Sequence, residues 1–382
     1  MVRRRTILIP TSGSYKNSAS MIIYLLNILK GLKNIKNDNL IPSIILYHDN
    51  DTPLDEFKNI NYPYINYFNF KKDVNIFIRL FNFFYKKFFN KHIFKTYNHN
   101  IDIVFPAMLD NTYVNAKRLI FWKADFQEKY LPQFFTKNDL EYSDTFFENL
   151  NKYTKSTLVL SSKDALNSYR LYYPNHKNPT FVLPFVSFIE SNNDLDFNII
   201  KSKFDIRKPY FIICNQFWPH KNHIRVLEAL NILNSNNVNF QILFTGNTSS
   251  YRNENIFNDL KLFIENNNLT RSVIITGFIE RDEQVSLIEN SLAVIQPSYF
   301  EGWSTVIEDA KALNKYVIAS NINVNLEQIK YDCIFFNPDD ATELSNIMYN
   351  FSIDYNLINR NYKNDIDAFS NKLIELFNLN DK

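Results

Sequence analysis

The chain has 382 residues, which exceeds one ordinary hydrophobic core and fits two domains of common size. Its 42 basic and 40 acidic residues leave a net charge of +2, which excludes a nucleic-acid partner held by bulk electrostatics, so any basic patch must be local. The two cysteines, Cys214 and Cys333, sit in separate apolar segments without a CxxC or Cys/His cluster, so neither a disulfide framework nor a zinc site is expected, and the cytoplasm is the expected compartment.

The amino terminus, MVRRRTILIPTSGS, is basic, but its apolar run is too short for a signal peptide. No window approaches the roughly 18 uninterrupted apolar residues of a membrane span. In chain order, TILIP (6–10) predicts a strand, 17–33 a helix, SIILYH (43–48) a strand, 74–95 a helix and IDIVFP (101–106) a strand. LIFW (119–122), TLVLSS (157–162) and TFVLPF (180–185) continue the series. Short apolar strands alternating with helices imply a parallel sheet covered on both faces. Residues 188–198, FIESNNDLDFN, suit a linker, after which the pattern restarts. The second series comprises YFIICN (210–215), FQILFTG (240–246), SVIITG (272–277), LAVIQP (292–297), YVIAS (316–320) and CIFFN (333–337). The expected organisation is therefore α/β: a domain at 1–190, a linker at 191–207, a second domain at 208–355, and a closing helix at 356–382 that can pack back on the first domain.

Ligands of open parallel sheets bind beyond the carboxyl ends of the strands. Three of the chain's five glycines, Gly246, Gly277 and Gly302, fall at or just after strand ends of the second series. Residues 293–313, AVIQPSYFEGWSTVIEDAKAL, read as a strand, a small-residue turn and a helix opening on Ser304 and Thr305. Such a helix start aims unpaired amides and the positive end of its dipole at an anion, with phosphate the natural guest. Carboxylates at Glu301, Glu308 and Asp309 flank that position, which suits a ligand rich in hydroxyls; a sugar nucleotide has both parts. Lys221, in NQFWPHKNHIRVLEAL (215–230), stands at another loop-to-helix junction of the same edge, where an ammonium can meet a diphosphate.

The NQFWPHKNH segment together with VIITGFIERDEQVSLIENSLAVIQPSYFEGWSTVIEDAKAL resembles the donor-binding half of retaining glycosyltransferases of the GT-B fold, of the glycosyltransferase group 1 or family 4 type. The resemblance spans most of 208–340. It implies two Rossmann-like doubly wound domains facing a cleft, the nucleotide sugar held by the C-terminal one, and no cofactor or divalent metal. Position by position, Lys221 resembles the family's diphosphate-binding lysine, and Glu301 the first glutamate of a Glu-x7-Glu motif that touches the transferred sugar. Asp309 falls where the second glutamate usually holds the ribose; its shorter side chain leaves Glu308 as a competitor. Gln216 stands where the family commonly has an arginine, which shifts the load to Lys221 and the backbone amides of Ser304, Thr305 and Val306. Gly277, Gly302 and Trp303 complete the expected donor site.

The first half is less diagnostic. TSGSYKNSAS places Gly13 where the family's first loop approaches the donor phosphate. FWKADFQEKYLPQFFTKNDLEY (121–142) offers Asp125 to orient or deprotonate an acceptor hydroxyl, with a helix or turn cap as the equally weighted alternative. Asp194-Leu195-Asp196 matches a DxD metal motif in form only, since it lies in the linker, and the histidines lack a third ligand beyond His220 and His223. Residues 71–97, basic and aromatic with Asp73 the single acid, suit either a peripheral helix on an anionic membrane or a core helix with snorkelling lysines.

The resulting expectation is a cytoplasmic hexosyl- or deoxyhexosyltransferase, with peripheral contact at the inner face of the cytoplasmic membrane as an option. Its donor is a nucleoside-diphosphate sugar. Its acceptor is a glycan or polyprenyl-diphosphate-linked glycan of a surface polysaccharide, lipopolysaccharide O-antigen or capsule. The alternatives are a sugar-nucleotide epimerase, a glycan phosphorylase or a catalytically degenerate partner subunit.

Overall fold

A computed structural model describes residues 3–11, 19–89, 97–107, 114–189, 195–234, 238–248, 255–353 and 360–380. Gly13 and the 90–96 part of the basic aromatic stretch lie outside the described residues, as does Asp194. The chain divides into two compact units. Unit 1 comprises Met1–Ala124, Glu141–Val186 and Lys363–Lys382; unit 2 comprises Asp125–Leu140 and Ser187–Tyr362.

Unit 1 holds a seven-stranded parallel sheet built from β1 (Thr6–Pro10), β2 (Ser43–His48), β3 (Ile65–Asn69), β4 (Tyr97–Val104), β5 (Val114–Lys123), β6 (Thr157–Leu160) and β7 (Thr180–Val182). The order is β3-β2-β1-β4-β5-β6-β7, with β1 central and paired Ile7 to Ile44 and Ile7 to Ile103. Ile7, Leu8 and Ile9 are fully buried, as a central strand covered on both faces requires. β3 escapes the sequence pattern because INYFN has polar residues at both Asn positions; as an edge strand it needs only partial cover. The last helix, Lys363–Leu376, packs on the first, Ala19–Lys33, where Ser370 Oγ donates to the Gly31 carbonyl at 2.9 Å.

One helix of unit 1, Ile76–Phe89, turns the usual pattern around. Phe77, Phe81, Phe84 and Phe88, spaced four, three and four apart along one face, are all exposed, as are Ile76, Leu80, Phe83 and Phe89. The polar Asn82 is buried instead, at 3% exposure.

Unit 2 holds a six-stranded parallel sheet of β8 (Tyr210–Cys214), β9 (Gln241–Thr245), β10 (Val273–Gly277), β11 (Val294–Gln296), β12 (Val317–Ser320) and β13 (Cys333–Phe336), in the order β10-β9-β8-β11-β12-β13. β8 and β11 are adjacent at its centre and buried along their whole length. Apolar clusters cover both faces, one around Phe211, Ile213, Leu230 and Phe244, the other around Ile212, Val294, Ile307 and Val317. This alternation of one strand's side chains between two cores explains why these strands read as unbroken apolar runs. The strand order reverses between β8 and β11, so the loops leaving these two strands diverge at the carboxyl edge, where a ligand can enter.

Two segments lie differently from the sequence expectation. Within the 191–207 linker, Phe197–Lys203 is a helix capped by Asp196, whose carboxylate accepts from the Asn198 amide at 2.9 Å, and Ile200 is buried in the unit 2 core. Asp125–Leu140, expected with the first domain, belongs to unit 2. No helix among the described residues is long and apolar enough to cross a membrane.

Candidate active site

The carboxyl edge of β8 leads through Asn215 and Gln216 into a short 3-10 turn, Pro219–Lys221, opened by proline at its first position. Asn222 ends that turn in the left-handed region (φ 55°), a conformation asparagine tolerates. Its side-chain amide donates to the carbonyls of Pro297 at 3.1 Å and Pro338 at 3.0 Å, while the Tyr299 amide donates to the His220 carbonyl at 2.8 Å. The loop after β8 is thereby fastened to the loop after β11.

That fastening brings Lys221 to Glu301. Nζ donates to both carboxylate oxygens, at 2.7 and 2.9 Å, with the two side chains 15% and 7% exposed. Behind the pair, the fully buried Gln296 at the end of β11 donates to Glu301 Oε1, and its own carbonyl accepts from Asn215 Nδ2 at 3.0 Å. Asn215, Gln296, Glu301 and Lys221 thus form one continuous polar chain across the ends of β8 and β11. The buried amides fix the carboxylate, and the carboxylate fixes the ammonium.

Gly302 follows Glu301 and meets Asp125. A Cβ at position 302 would lie 2.5 Å from Asp125 Oδ2 and 2.8 Å from Asp125 Cβ, so only glycine permits this approach. Asp125 also accepts from the Gln127 amide at 3.0 Å, so it caps its local turn as well as standing at the loop. Further contacts tie the same segment to this edge: Tyr130 packs near Phe300 and Phe134 near His220, with ring centroids 5.6 and 6.4 Å apart. Gly246, at φ 147°, is required where the loop after β9 presses on the Asn215 backbone. Gly277, at φ 72°, closes β10.

Helix Thr305–Ala312 begins beside the pair, its first turn capped by Ser304 Oγ, which accepts from the Ile307 amide. The Ser304 amide, expected among the anion-binding donors, is already used: it donates to Gln328 Oε1 at 3.0 Å. Among the described residues no partner is found for the amides of Thr305 and Val306, two of the orphan donors every helix start carries. Trp303 and Thr305 are half-buried, Val306 is buried, and Gln216 is exposed.

Glu308 and Asp309 are separated by their surroundings. Glu308 is fully buried; Lys311 Nζ donates to its oxygens at 2.9 and 3.0 Å, Gln328 Nε2 at 3.0 Å and Tyr362 OH at 2.6 Å. Burial nevertheless holds its carboxyl above the usual range. Asp309 accepts a fork from Arg281, with both contacts at 2.6 Å, and a hydrogen bond from the Ser187 hydroxyl. Arg281 was missed at the sequence level. The available signal was its place four residues after Gly277, opening helix Arg281–Glu289 at the same strand edge. Cys214 is buried at the end of β8, its thiol pushed up first by burial and then by the Asp309 charge, and Cys333, half-buried, is raised by burial too; both are free thiols. Among the described residues no cluster of three or more His, Cys, Asp or Glu side chains has metal-binding geometry.

The edge therefore carries a lysine held by a carboxylate, helix-start amides without a partner among the described residues, a glycine in close contact with an aspartate, and an arginine anchored on a buried aspartate. Residues 196–378 match the family model described as glycosyl transferases group 1. No curated protein sequence matches the chain. Among solved structures, a glycosyltransferase from Rickettsia africae ESF-5 is similar at 20% identity and TM-score 0.60, covering 99% of this chain and 95% of that one. Anabaena HepE in complex with UDP and glucose is similar at 14% identity and TM-score 0.63, covering 98% and 94%. WaaG, a glycosyltransferase involved in lipopolysaccharide biosynthesis, is similar at 10% identity and TM-score 0.56, covering 98% and 95%. Residues 196–378 are thus similar to the glycosyl transferases group 1 family, and the two parallel α/β sheets give the chain the GT-B fold.

Proposed function

We propose that the protein transfers a sugar from a nucleoside-diphosphate donor to a hydroxyl of a glycan or lipid-linked glycan, with retention at the anomeric carbon. The observation that carries this reading is the Lys221–Glu301 pair, with the amides of Thr305 and Val306, which have no partner among the described residues, following in the same loop-to-helix segment. A diphosphate leaving group needs charge stabilisation that grows as its bond to the sugar breaks, and an ammonium with two fixed amides supplies it. Glu301, held by Gln296, is the group for the sugar hydroxyls.

In the proposed front-side displacement the bond from the anomeric carbon to the diphosphate oxygen breaks. The acceptor oxygen bonds to the same face of that carbon, and its proton passes to the departing diphosphate. Lys221 and the amides of Thr305 and Val306 hold the charge that develops. Asp125 orients the acceptor hydroxyl, while Gln216, Gly277, Gly302 and Trp303 shape the donor site. No cofactor or divalent metal enters the proposed step.

HepE, similar in fold, is described in complex with UDP and glucose, which supports a uridine donor as the first to try. WaaB, described as a lipopolysaccharide outer core galactosyltransferase, and WaaG support a surface glycan as acceptor. Contact with an anionic membrane through the exposed aromatic helix Ile76–Phe89 is proposed for the same reason, since lipid-linked acceptors reside there.

The test is incubation with UDP-, GDP-, dTDP- and CMP-sugars, with and without a lipid-linked glycan acceptor, following nucleotide release and the anomeric configuration of the product by NMR. Acceptor-dependent release with retained configuration is expected. Conversion of the donor without acceptor would assign an epimerase, phosphate-dependent cleavage of a glycan a phosphorylase. Failure to bind any of the nucleotides would assign a partner subunit without its own turnover.

A further inference from the structure

A second ion pair stands at this strand edge, and its two members are placed very differently. The Asp309 side chain is 2% exposed whereas that of Arg281 is 47% exposed. Both Asp309 oxygens are occupied by the guanidinium, and one also by the Ser187 hydroxyl. Three of its roughly four acceptor sites are thus filled, and at 2% exposure the carboxylate has almost no surface to offer a ligand.

Arg281 is in the opposite position. A guanidinium has five N–H donors. Arg281 spends two on Asp309 and one on Gln284 Oε1 at 2.9 Å, and its Nε–H and one Nη2–H remain available on a side chain about half open to solvent. Its partner Asp309 lies in helix Thr305–Ala312, the helix that follows the Glu301 loop and starts with the amides of Thr305 and Val306. A diphosphate carries more than one negative charge, and the ammonium of Lys221 is already matched by Glu301.

We propose that Arg281 is a second cation for the phosphates of the nucleoside-diphosphate donor, and that Asp309 is a positioning residue that holds the guanidinium rather than a ligand of the nucleotide. The assignment rests on the donor-site reading above. It replaces the ribose contact expected for Asp309 with a phosphate contact made by a charged donor on a different loop. A guanidinium held from behind by a forked carboxylate presents its remaining donors with little loss of side-chain freedom, which suits recognition of phosphate oxygens.

The experiment uses the full chain and displacement calorimetry with three pairs of probes: UDP and GDP, their monophosphates, and uridine and guanosine. Because Arg281→Gln alone strands a buried carboxylate, the informative variant is Arg281→Gln/Asp309→Asn, whose amides can pair. It is expected to keep the wild-type melting temperature within a few degrees and to bind the diphosphate about ten- to a hundredfold more weakly, with nucleoside affinity unchanged. Arg281→Lys should restore part of the loss. Unchanged diphosphate affinity in the double variant overturns the assignment. An equal loss for the nucleosides overturns it as well, because the pair then serves the ribose. Absence of diphosphate binding by the wild type overturns the underlying donor-site reading instead.

Discussion

Lys221 Nζ stands 2.7 and 2.9 Å from the two oxygens of Glu301, a forked pair linking the loop after β8 to the loop after β11. Under the proposed mechanism the two residues divide the donor between them, phosphate to Lys221 and sugar to Glu301. Lys221→Ala is expected to lower turnover by two to three orders of magnitude, the scale of a lost preorganised charge in other enzymes. The same change strands a carboxylate that is nearly buried, at a stability cost of about 3–5 kcal/mol. Lys221→Ala/Glu301→Gln should recover the melting temperature and remain inactive. Recovery of activity along with stability would show that the pair is structural only.

Gly302 and Asp125 give a steric test of the same loop. A methyl at 302 would meet Asp125 Oδ2 at 2.5 Å and its Cβ at 2.8 Å. Gly302→Ala should therefore destabilise by about 1–3 kcal/mol, the usual range for forced overpacking, and displace Glu301 from Lys221. Asp125→Gly in the same chain removes the clashing atoms and should restore stability by thermal melting. If Asp125 orients the acceptor, turnover stays low in that double variant; full activity would reduce Asp125 to its capping bond with Gln127.

His223 supplies a pH signature independent of the chemistry. It opens helix His223–Asn234, stacks on Phe217 at 4.4 Å between ring centroids, and is 2% exposed. Burial pushes its imidazole down to about 3 from an ordinary value of 6.5. The folded state therefore keeps it neutral where the unfolded chain binds a proton. Its contribution is fully present above about pH 6.5 and is lost as pH falls toward 3, with a slope of up to about 1.4 kcal/mol per unit. His223→Phe should flatten the acid side of the stability profile measured by denaturant titration; an unchanged slope would show that another group controls it.

Much of this was legible in the chain because its strands are buried on both faces and read as unbroken apolar runs: β8, β9 and β11 could be placed from sequence within a residue or two. β3 could not, because an edge strand carrying Asn66 and Asn69 has no such run. At the site, Lys221 and Glu301 were visible through their place at strand ends. Their meeting depends on Asn222 and Gln296, whose amide bonds exist only once the two loops are folded together. The competition between Glu308 and Asp309 was undecidable in one dimension. What separates the two is set by neighbours up to 122 positions away: Tyr362 and Gln328 seal the first, and Arg281 and Ser187 hold the second.

Chelation distinguishes charge stabilisation by the protein from stabilisation by a divalent ion. With Lys221 and the helix amides serving the diphosphate, initial rates in excess EDTA are expected to match those without it. A loss restored by magnesium or manganese would transfer the leaving-group role to a metal.

The helix Ile76–Phe89 tests the proposed acceptor environment. Its aromatic face at Phe77, Phe81, Phe84 and Phe88 is open to solvent, with exposed Lys72 before it and exposed Lys87 within it, while Asn82 is turned inward. Such an outward apolar face costs free energy in water and gains it in the headgroup region of a bilayer, where the lysines add attraction to anionic lipid. The full chain should float with phosphatidylglycerol-containing vesicles, less so with neutral vesicles or at high salt. Phe81→Ser/Phe84→Ser should abolish flotation without lowering the melting temperature, since these rings contribute little to the unit 1 core. Transfer to a lipid-linked acceptor embedded in vesicles should fall in that variant, while transfer to a water-soluble acceptor stays unchanged. Equal flotation of the variant and the wild type would remove the membrane from this reading and leave the aromatic face for a protein partner.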